Sequence, residues 1–588
     1  MKRFVIVAAV LAFAHAAFAQ PEVPPTGAPG ATPTPNGGTN ETTPPTTAPG
    51  VTIDEQTRAL IADEVAKALA AERAKHFEAS LDEDKPKDPN ADPLGDDTYL
   101  HGADGVTDTR LNMTFVNENT LGNAHTVPPV YGWHFGVPSK LGTMFFDNYD
   151  TRYSGYETMS HFVMYRNYRR DHLEAEAGLV IKLTDAGTGQ SGLSDDGSYI
   201  LVAYWKDPEH KDPRRISLTA FPVSADRFRL GYSYRLSWGG NDEFRRVDNT
   251  PNSAQPGVKL QFDGGDHYAF VGMKSALVLN HGNNDLEARL SYLAGAGVDL
   301  ANNMVRVELN GGYFNRGPNE LQDVQSQDVQ LFGASAQVAL HKGMPVTSSL
   351  DYKLYKNDPE RIGRVFQPVV YKPGVQWLVM GEGTVVGQTL KDPEKTGSTK
   401  IQYGKAGDVN VRVMIDHVRI KFDLSYRDLA FVLHSVPSIP SYTDFPMAYS
   451  VHPDFFGDVG IDKNWADRYT LGIAFGIERP AYFTSPTGVP GDVFSSPSGT
   501  QTVVVRNNGG FDTDPSILPA GKDPLQSVAV KATGQINFGA VYGALINVYY
   551  QYDPNRTEGG RDSGSGEFNF TFGQLNQIGA DVTLQAKF

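Results

Sequence analysis

The stretch Asn-Gln-Ile-Gly-Ala-Asp-Val-Thr-Leu-Gln-Ala-Lys-Phe, residues 576–588, decides the fold class. From Gln577 onward its apolar residues occupy even-numbered positions, while its polar residues and one glycine occupy odd-numbered positions. Side chains on a β-strand alternate with period two, so a strand here has one apolar face and one polar face. Such a strand suits a wall between lipid and water, although a soluble β-sandwich would show the same alternation.

The same period recurs along residues 98–588, in segments of about ten residues that could cross hydrocarbon as tilted strands. Alternating segments begin at Leu173, Phe228, Val305, Val418, Val528 and Tyr542. The faces opposite the apolar ones carry clustered charges, which a dry core could not bury without partners. Aromatic residues gather at the predicted strand ends, as interfacial girdles require. We therefore predict an all-β fold, a closed antiparallel transmembrane barrel of about 16–18 strands.

The N-terminus has the features of a secretory signal peptide over residues 1–19. Lys2 and Arg3 precede an apolar stretch, and the motif Ala17-Phe18-Ala19 predicts cleavage between Ala19 and Gln20. An uncleaved membrane-anchoring helix is the alternative, and the shortness of the apolar stretch disfavours it. The chain has no cysteine, which excludes a lipid-modified cysteine anchor and any disulfide framework. The sequence thus predicts an exported protein.

Three further segments precede the predicted barrel. Residues 20–51 are rich in Pro, Thr and Gly and predict a disordered linker. Residues 52–81 predict an α-helix that starts with the capping box Thr52/Glu55. Its apolar stripe fits either a short periplasmic coiled coil that gathers protomers or a marginal solvated helix. Residues 82–97 contain three prolines and predict a second linker, so the barrel comprises residues 98–588.

Turn composition predicts which connections lie at which end of the barrel. Residues 222–226 and 539–540 are short and predict periplasmic turns. The longer connections rich in Gly, Asp, Asn and Pro predict outer loops, namely residues 239–257, 478–526 and 553–565. Residues 566–588 predict one long strand that bends near Gly573. Residues 433–467 fit either an outer loop folded into the lumen as a constriction or a pair of strands.

The signal peptide, the alternating strands and the terminal Phe588 together resemble Gram-negative outer-membrane porins. The resemblance implies an outer-membrane location, surrounded by lipid and lipopolysaccharide. It also implies that the barrel-assembly machinery recognises Phe588 at the end of the last strand. The helix at 52–81 resembles the N-terminal coiled coil of some trimeric porins, which implies a homo-oligomer, with a trimer favoured. No porin subfamily is indicated, and no substrate-binding residues carry over.

The expected function is passive diffusion of small hydrophilic solutes or ions through a water-filled channel. Eight residues are candidate pore-lining positions: Arg227, Arg229, Arg235, Arg419, Lys421, Arg427, Glu174 and Glu176. The first three would form a basic ladder on one inward face and favour anions. The next three extend it, with Asp423 as an interruption, and the two glutamates oppose it. The alternative is a barrel plugged by loops, a structural or adhesive anchor whose N-terminal helix reaches peptidoglycan or neighbouring protomers.

Other functional classes find little support in the sequence. A formal charge of −16 argues against a nucleic-acid partner. The G-x-G-x-x-G at 187–192 lies between predicted strands, whereas a dinucleotide site needs a strand and a helix around it. Asp512 and Asp514 fit a solvated acidic loop better than a calcium site, because the remaining calcium ligands are missing. A barrel enzyme would need a nucleophile and base that the sequence does not show, so we expect no catalysis, cofactor or metal.

Overall fold

The computed structural model describes most of the chain from Gly105 onward. The described residues are 105–116, 132–135, 161–183, 193–195, 197–231, 233–244, 254–280, 282–344, 346, 371, 373–435, 442–465, 468–486, 500–508, 511–538, 542–561, 568–573 and 575–587. They belong to the second of two compact units, Ala91–Phe588. The predicted signal peptide, linkers and helix at 1–97, the cleavage site Ala19/Gln20, the motif at 187–192 and Phe588 lie outside the described residues.

The described chain is almost entirely β-structure. Its strands are β1 (Gly105–Val116), β2 (Gly132–Phe135), β3 (His161–Arg170), β4 (Leu173–Leu183), β5 (Leu193–Asp195), β6 (Tyr199–Trp205), β7 (Arg215–Phe221), β8 (Gly257–Asp263), β9 (His267–Asn280), β10 (Asp285–Leu300), β11 (Val305–Pro318), β12 (Asp328–Lys342), β13 (Val375–Lys391), β14 (Thr399–Ile415), β15 (Val418–Arg427), β16 (Ser450–His452), β17 (Asp454–Trp465), β18 (Tyr469–Arg479), β19 (Ala481–Ser485), β20 (Gln501–Asn508), β21 (Phe511–Ile517), β22 (Ser527–Phe538), β23 (Tyr542–Tyr552), β24 (Thr557–Arg561), β25 (Phe568–Phe572) and β26 (Asn576–Lys587). One short helix, α1 (Leu429–Val432), and two 3₁₀ turns, Tyr234–Leu236 and Asn241–Phe244, complete the described elements.

The principal sheet contains 20 strands, of which the short β2 and β5 are side pairings. The other 18 pair antiparallel in chain order, skipping the strands outside the sheet. The last strand then pairs with the first, with Leu584 opposite Leu111. The ring is therefore closed, which confirms the predicted antiparallel barrel of about 16–18 strands.

The connections divide the barrel into a long-loop end and a short-turn end. At the short-turn end the chain passes from strand to strand over residues 171–172, 264–266, 301–304, 416–417 and 466–468. Strand β22 ends and β23 begins at this end, which agrees with a tight connection at 539–540, and the longer connection from β12 to β13 also starts and finishes here. The described parts of residues 480–526 and 553–575 lie at the opposite end. There β16, β19, β20 and β21 form a separate four-stranded sheet, and β24 pairs with β25.

Three sequence predictions about connections need correction or refinement. Residues 222–226 were predicted to be a turn, and residues 227–238 to be a wall strand; both belong to one long connection, 222–256, at the long-loop end. In the described part of residues 433–467, a loop and the short strand β16 precede the wall strand β17, and β16 pairs with β19; the segment is therefore neither one loop nor a pair of strands. The predicted long strand at 566–588 is interrupted: β25 ends at Phe572, and β26 begins at Asn576 after a gap of three residues.

Candidate functional site

The outward faces of the barrel strands are apolar. On β7, Ile216 and Leu218 point outward and are exposed, whereas Arg215, Ser217 and Thr219 point inward and are buried. Apolar side chains are also exposed on distant strands of the ring, for example Leu309, Phe475 and Leu584. A closed barrel with an apolar exterior and a polar interior has the polarity of a membrane-spanning barrel. The described chain is thus a transmembrane barrel; no helix within it is long and apolar enough to span a membrane.

The interior is not empty, because the connection between β7 and β8 enters the lumen; its described residues, 222–231, 233–244 and 254–256, are here called the strap. Phe228, Leu230, Leu236 and Trp238 of the strap are completely buried. They pack in one cluster with inward apolar residues of the wall, including Phe270 on β9. This explains why the alternating sequence at 228–238 does not form a wall strand. Its apolar side chains cover an inner wall that is itself apolar, so they face protein rather than lipid.

Close contacts join the strap to the wall on both sides of its tip, at Gly231 and at Trp238 and Gly239. Trp238 Nε1 donates to Ser335 Oγ on β12 at 3.0 Å, and Lys274 Nζ on β9 donates to the Gly239 carbonyl at 2.6 Å. Gly231 has a φ of +77°, and a Cβ there would lie 2.7 Å from Glu382 Oε1. Glycine is therefore favoured at this position, where the strap backbone passes close to Glu382 of the wall.

The tip of the strap reaches the far side of the barrel. Arg235 Nη1 lies 3.3 Å from Glu478 Oε1 on β18 and 3.6 Å from Asp454 Oδ2 on β17. Its guanidinium carbon lies 3.4 Å from the centroid of the Phe456 ring. Strand β17 is halfway around the ring of pairings from β7, where the strap begins. The strap therefore spans the lumen and ends in a buried ion cluster that includes Arg427, whose Nε donates to Asp454 Oδ2 at 2.8 Å.

A second insertion meets the strap inside the barrel. Helix α1 follows β15 and packs on the inner face of β14, where a Cβ on Gly404 would lie 2.6 Å from the backbone nitrogen of Phe431. His434 Nε2 lies 2.9 Å from Glu243 Oε1 on the strap. Burial alone would raise the pKa of the Glu243 carboxyl, but the charge and hydrogen bond of His434, with Arg316 nearby, lower it to about 2. The two insertions are joined by a buried pair.

The predicted pore-lining arginines of the basic ladder do not share one strand face. Arg229 Nη1 lies 3.3 Å from Asp226 within the strap, and Arg235 is the tip residue described above. Arg227 is 1% exposed, and a Cβ on Gly197 would touch its side chain. The strap thus carries these residues, and at least two of them are neutralised by carboxylates.

The other predicted positions do lie on inward faces of wall strands. Glu174 and Glu176 face inward from β4; Glu174 accepts from Trp205 Nε1 at 2.8 Å and from Arg169 Nε at 2.6 Å. Their inward direction agrees with the sequence, but Glu174 is completely buried rather than exposed to the lumen.

Strand β15 carries the remaining predicted positions inward. Arg419 pairs with Asp462 at 2.9 Å and Arg427 with Asp454, while Lys421 between them is partly exposed. Asp423 is buried on the same face and interrupts the basic series, as the sequence indicated.

The lumen is unevenly filled, and this defines the candidate site. Inward residues of β4 to β12 are mostly buried, even near the short turns, as Trp205 and Arg306 show. Inward residues of β18, β22 and β23 at similar height, such as Thr470, Thr533 and Leu545, are partly accessible to solvent. We call the inner wall of β18, β22 and β23, excluding the strap contacts, the open sector. Small and neutral polar side chains dominate its lower half.

The acidic partners of the strap, Glu382, Asp454 and Glu478, are functional candidates that the sequence reasoning missed. A usable signal existed in β6, whose sequence Tyr-Ile-Leu-Val-Ala-Tyr-Trp is apolar on both faces. A wall strand with a wet lumen would alternate, so a strand that is apolar throughout indicates that protein covers its inner face. Among the described residues, no cluster of three or more His, Asp or Glu side chains is placed to hold a metal ion.

Comparison with known proteins gives no family for the chain: no family model and no curated protein matches it. Solved structures of similar shape include OmpT, an outer membrane protein of Vibrio cholerae, at 10% identity over 82% of this chain and 97% of that chain, with a TM-score of 0.29. OccK11 (OpdR) of Pseudomonas aeruginosa gives 7% identity, 82% and 96% coverage and a TM-score of 0.37. An anion-selective porin from Comamonas acidovorans gives 8%, 82% and 98%, with 0.35. At these TM-scores the likeness adds nothing to the strand pairings described above.

Proposed function

We propose that the protein is an outer-membrane porin of a Gram-negative bacterium, a water-filled channel for passive diffusion of small hydrophilic solutes. The observation that carries the proposal is the open sector, a solvent-accessible strip of polar and small side chains inside a closed barrel of 18 strands. Barrels of this size leave room for an aqueous channel, and the strap narrows that room without needing to fill it. The channel catalyses nothing.

Selectivity in this proposal comes from the open sector rather than from the basic ladder predicted at 227–235. Arg229 and Arg235 are paired with Asp226 and Glu478, so their charges are compensated where they stand. Arg419 and Arg427 are compensated in the same way. A general anion preference therefore has a weaker basis than the sequence alone indicated.

The remaining parts of the proposal concern segments outside the described residues. Residues 1–19 would direct export, Phe588 would act in barrel assembly, and the helix at 52–81 would gather protomers, with a trimer favoured, in the periplasm. The barrel exterior would contact lipid and lipopolysaccharide.

Single-channel recording of the refolded protein in a planar bilayer tests the proposal. Stable current steps are expected, and Ala474→Trp should reduce them, because Ala474 faces the open sector from β18 and is partly exposed. Ala532→Trp is the matched control, since Ala532 faces outward on the adjacent strand and is exposed. Equal currents in both variants would contradict the location of the channel.

One observation favours a second candidate, a plugged barrel that anchors a structural or adhesive protein. The strap crosses the whole lumen and buries a large apolar cluster, which is more than a narrow constriction requires. Silence from a demonstrably folded barrel would favour this function. Deletion of residues 20–81 would then separate the two: a tether to peptidoglycan or to neighbouring protomers should lose its envelope role, whereas a porin should still conduct.

A further inference from the structure

The inner wall from β14 to β22, which leads into the open sector, carries two rows of charge of opposite sign on neighbouring levels. Arg412 on β14 pairs in register with Lys421 on β15, and the same row continues through Gly460 and Ala474 to Lys531 on β22. All of these positions face inward. The row therefore holds three cations with two small residues between the second and the third.

The neighbouring row toward the long-loop end is acidic. Asn410 pairs with Asp423, Asp423 with Asp458, and Asp458 with Gly476. Residues two apart on a strand face the same side and are separated by about 7 Å, so this is also the spacing between the acidic row and the basic row. The charged members of both rows have partners within the structure, which holds the rows in place.

The recess between Lys421 and Lys531 is formed by residues with little or no side chain. Gly460 and Ala474 occupy the basic row there, and Gly476 occupies the acidic row. Lys421, Asp458 and Ala474 are partly exposed. Gly460 and Gly476 are themselves buried, so a small solute would meet this part of the wall at Ala474, with the cation of Lys421 and the carboxylate of Asp458 accessible nearby.

We propose that this recess is a recognition site for small zwitterionic solutes, molecules with one carboxylate and one ammonium group. The proposal rests on the porin function and names its substrate class. A solute with both charges can place its carboxylate toward Lys421 and its ammonium toward Asp458 at once. A monovalent ion is attracted by one row and repelled by the other, so the two rows discriminate in favour of a molecular dipole.

Proteoliposome swelling is suited to this test because zwitterions are neutral overall and cause no charge imbalance. The probes are 4-aminobutyrate and erythritol, which are of similar size, the second being uncharged. We expect the wild-type protein to admit 4-aminobutyrate about threefold faster, the factor that one exposed charge contact supplies after salt screening. The double variant Lys421→Gln/Asp458→Asn removes one charge of each sign and leaves the net charge unchanged; its ratio should fall to about one.

The control is Lys522→Gln/Asp523→Asn, which makes the same change at exposed residues of the loop before β22 and should keep the wild-type ratio. If the double variant does not insert, Lys421→Gln alone is tested and should lower the ratio. Erythritol entry without a preference for 4-aminobutyrate, or a preference that survives the double variant, would overturn the site and leave the porin function standing. If neither solute enters, both proposals fail.

Discussion

Replacing Arg235 with Met should release the tip of the strap. The change removes the ion pairs to Glu478 and Asp454 at 3.3 and 3.6 Å and the contact with Phe456, while methionine keeps part of the apolar volume. Asp454 retains Arg427 at 2.8 Å, but Glu478 loses its hydrogen-bonded arginine. Breaking a buried pair on one side costs about 3–5 kcal/mol. That cost shifts the equilibrium between docked and undocked tip by roughly a hundred- to several-thousand-fold.

Single-channel recording detects this release directly. We expect larger mean conductance and added current noise in the Arg235→Met variant, because an undocked tip leaves more of the lumen open. Arg214→Met is the control: Arg214 lies in an exposed turn and pairs with Asp212, so its loss should leave the current unchanged. Adding Glu478→Gln should recover part of the stability, since it removes the carboxylate left behind. Wild-type conductance and noise in Arg235→Met would refute the strap as a tethered element.

Three further predictions concern stability, and heat-induced mobility shifts on gels measure each of them. Gly404→Val should lower the unfolding temperature, because the added side chain meets helix α1 and costs about 1–3 kcal/mol of folding free energy. Gly383→Val, where the added side chain meets open space, should leave the unfolding temperature unchanged. Leu260→Arg places a charge on the lipid side and should cost about 2–4 kcal/mol if it lies near the midplane, whereas Thr533→Arg in the open sector should be tolerated. The difference in unfolding temperature between the wild type and Glu243→Gln should shrink as the pH falls from about 4.5 toward 2. The folded state lowers the pKa of Glu243, so the ionised carboxylate stabilises the fold and its protonation removes that stabilisation. A difference that instead grew on acidification would contradict the sign of that shift.

The closed barrel could be predicted from the sequence because lipid imposes a period of two on every wall strand that faces it. Residues 576–588 show that period, and the described side chains agree: Gln577 and Thr583 are buried inside, while Leu584 is exposed outside. Inward positions such as Glu174 and Asp423 followed from the same rule. The local alternation was sufficient to predict which way a side chain points wherever one face of a strand met lipid.

The strap could not be predicted in the same way, because its alternating apolar side chains pack against the inner wall of the barrel rather than against lipid. Phe228, Leu230 and Trp238 have the spacing of a lipid-facing strand, but they pack against apolar wall residues that are distant in sequence. The tip contact joins Arg235 to Glu478, which lies 243 residues away, so no local signal indicates it. A contact of that kind appears only when the barrel places β7 and β18 on opposite walls.

Thiol modification of single cysteines tests the central claim most directly, since the native chain has no cysteine to interfere. Thr533→Cys lies in the open sector, and Ser335→Cys lies under the strap, where the native side chain contacts Trp238. A water-soluble, charged thiol reagent should reduce the current through Thr533→Cys and leave Ser335→Cys unaffected. Block at Ser335→Cys with none at Thr533→Cys, or no effect at either in a conducting channel, would contradict a passage along the open sector.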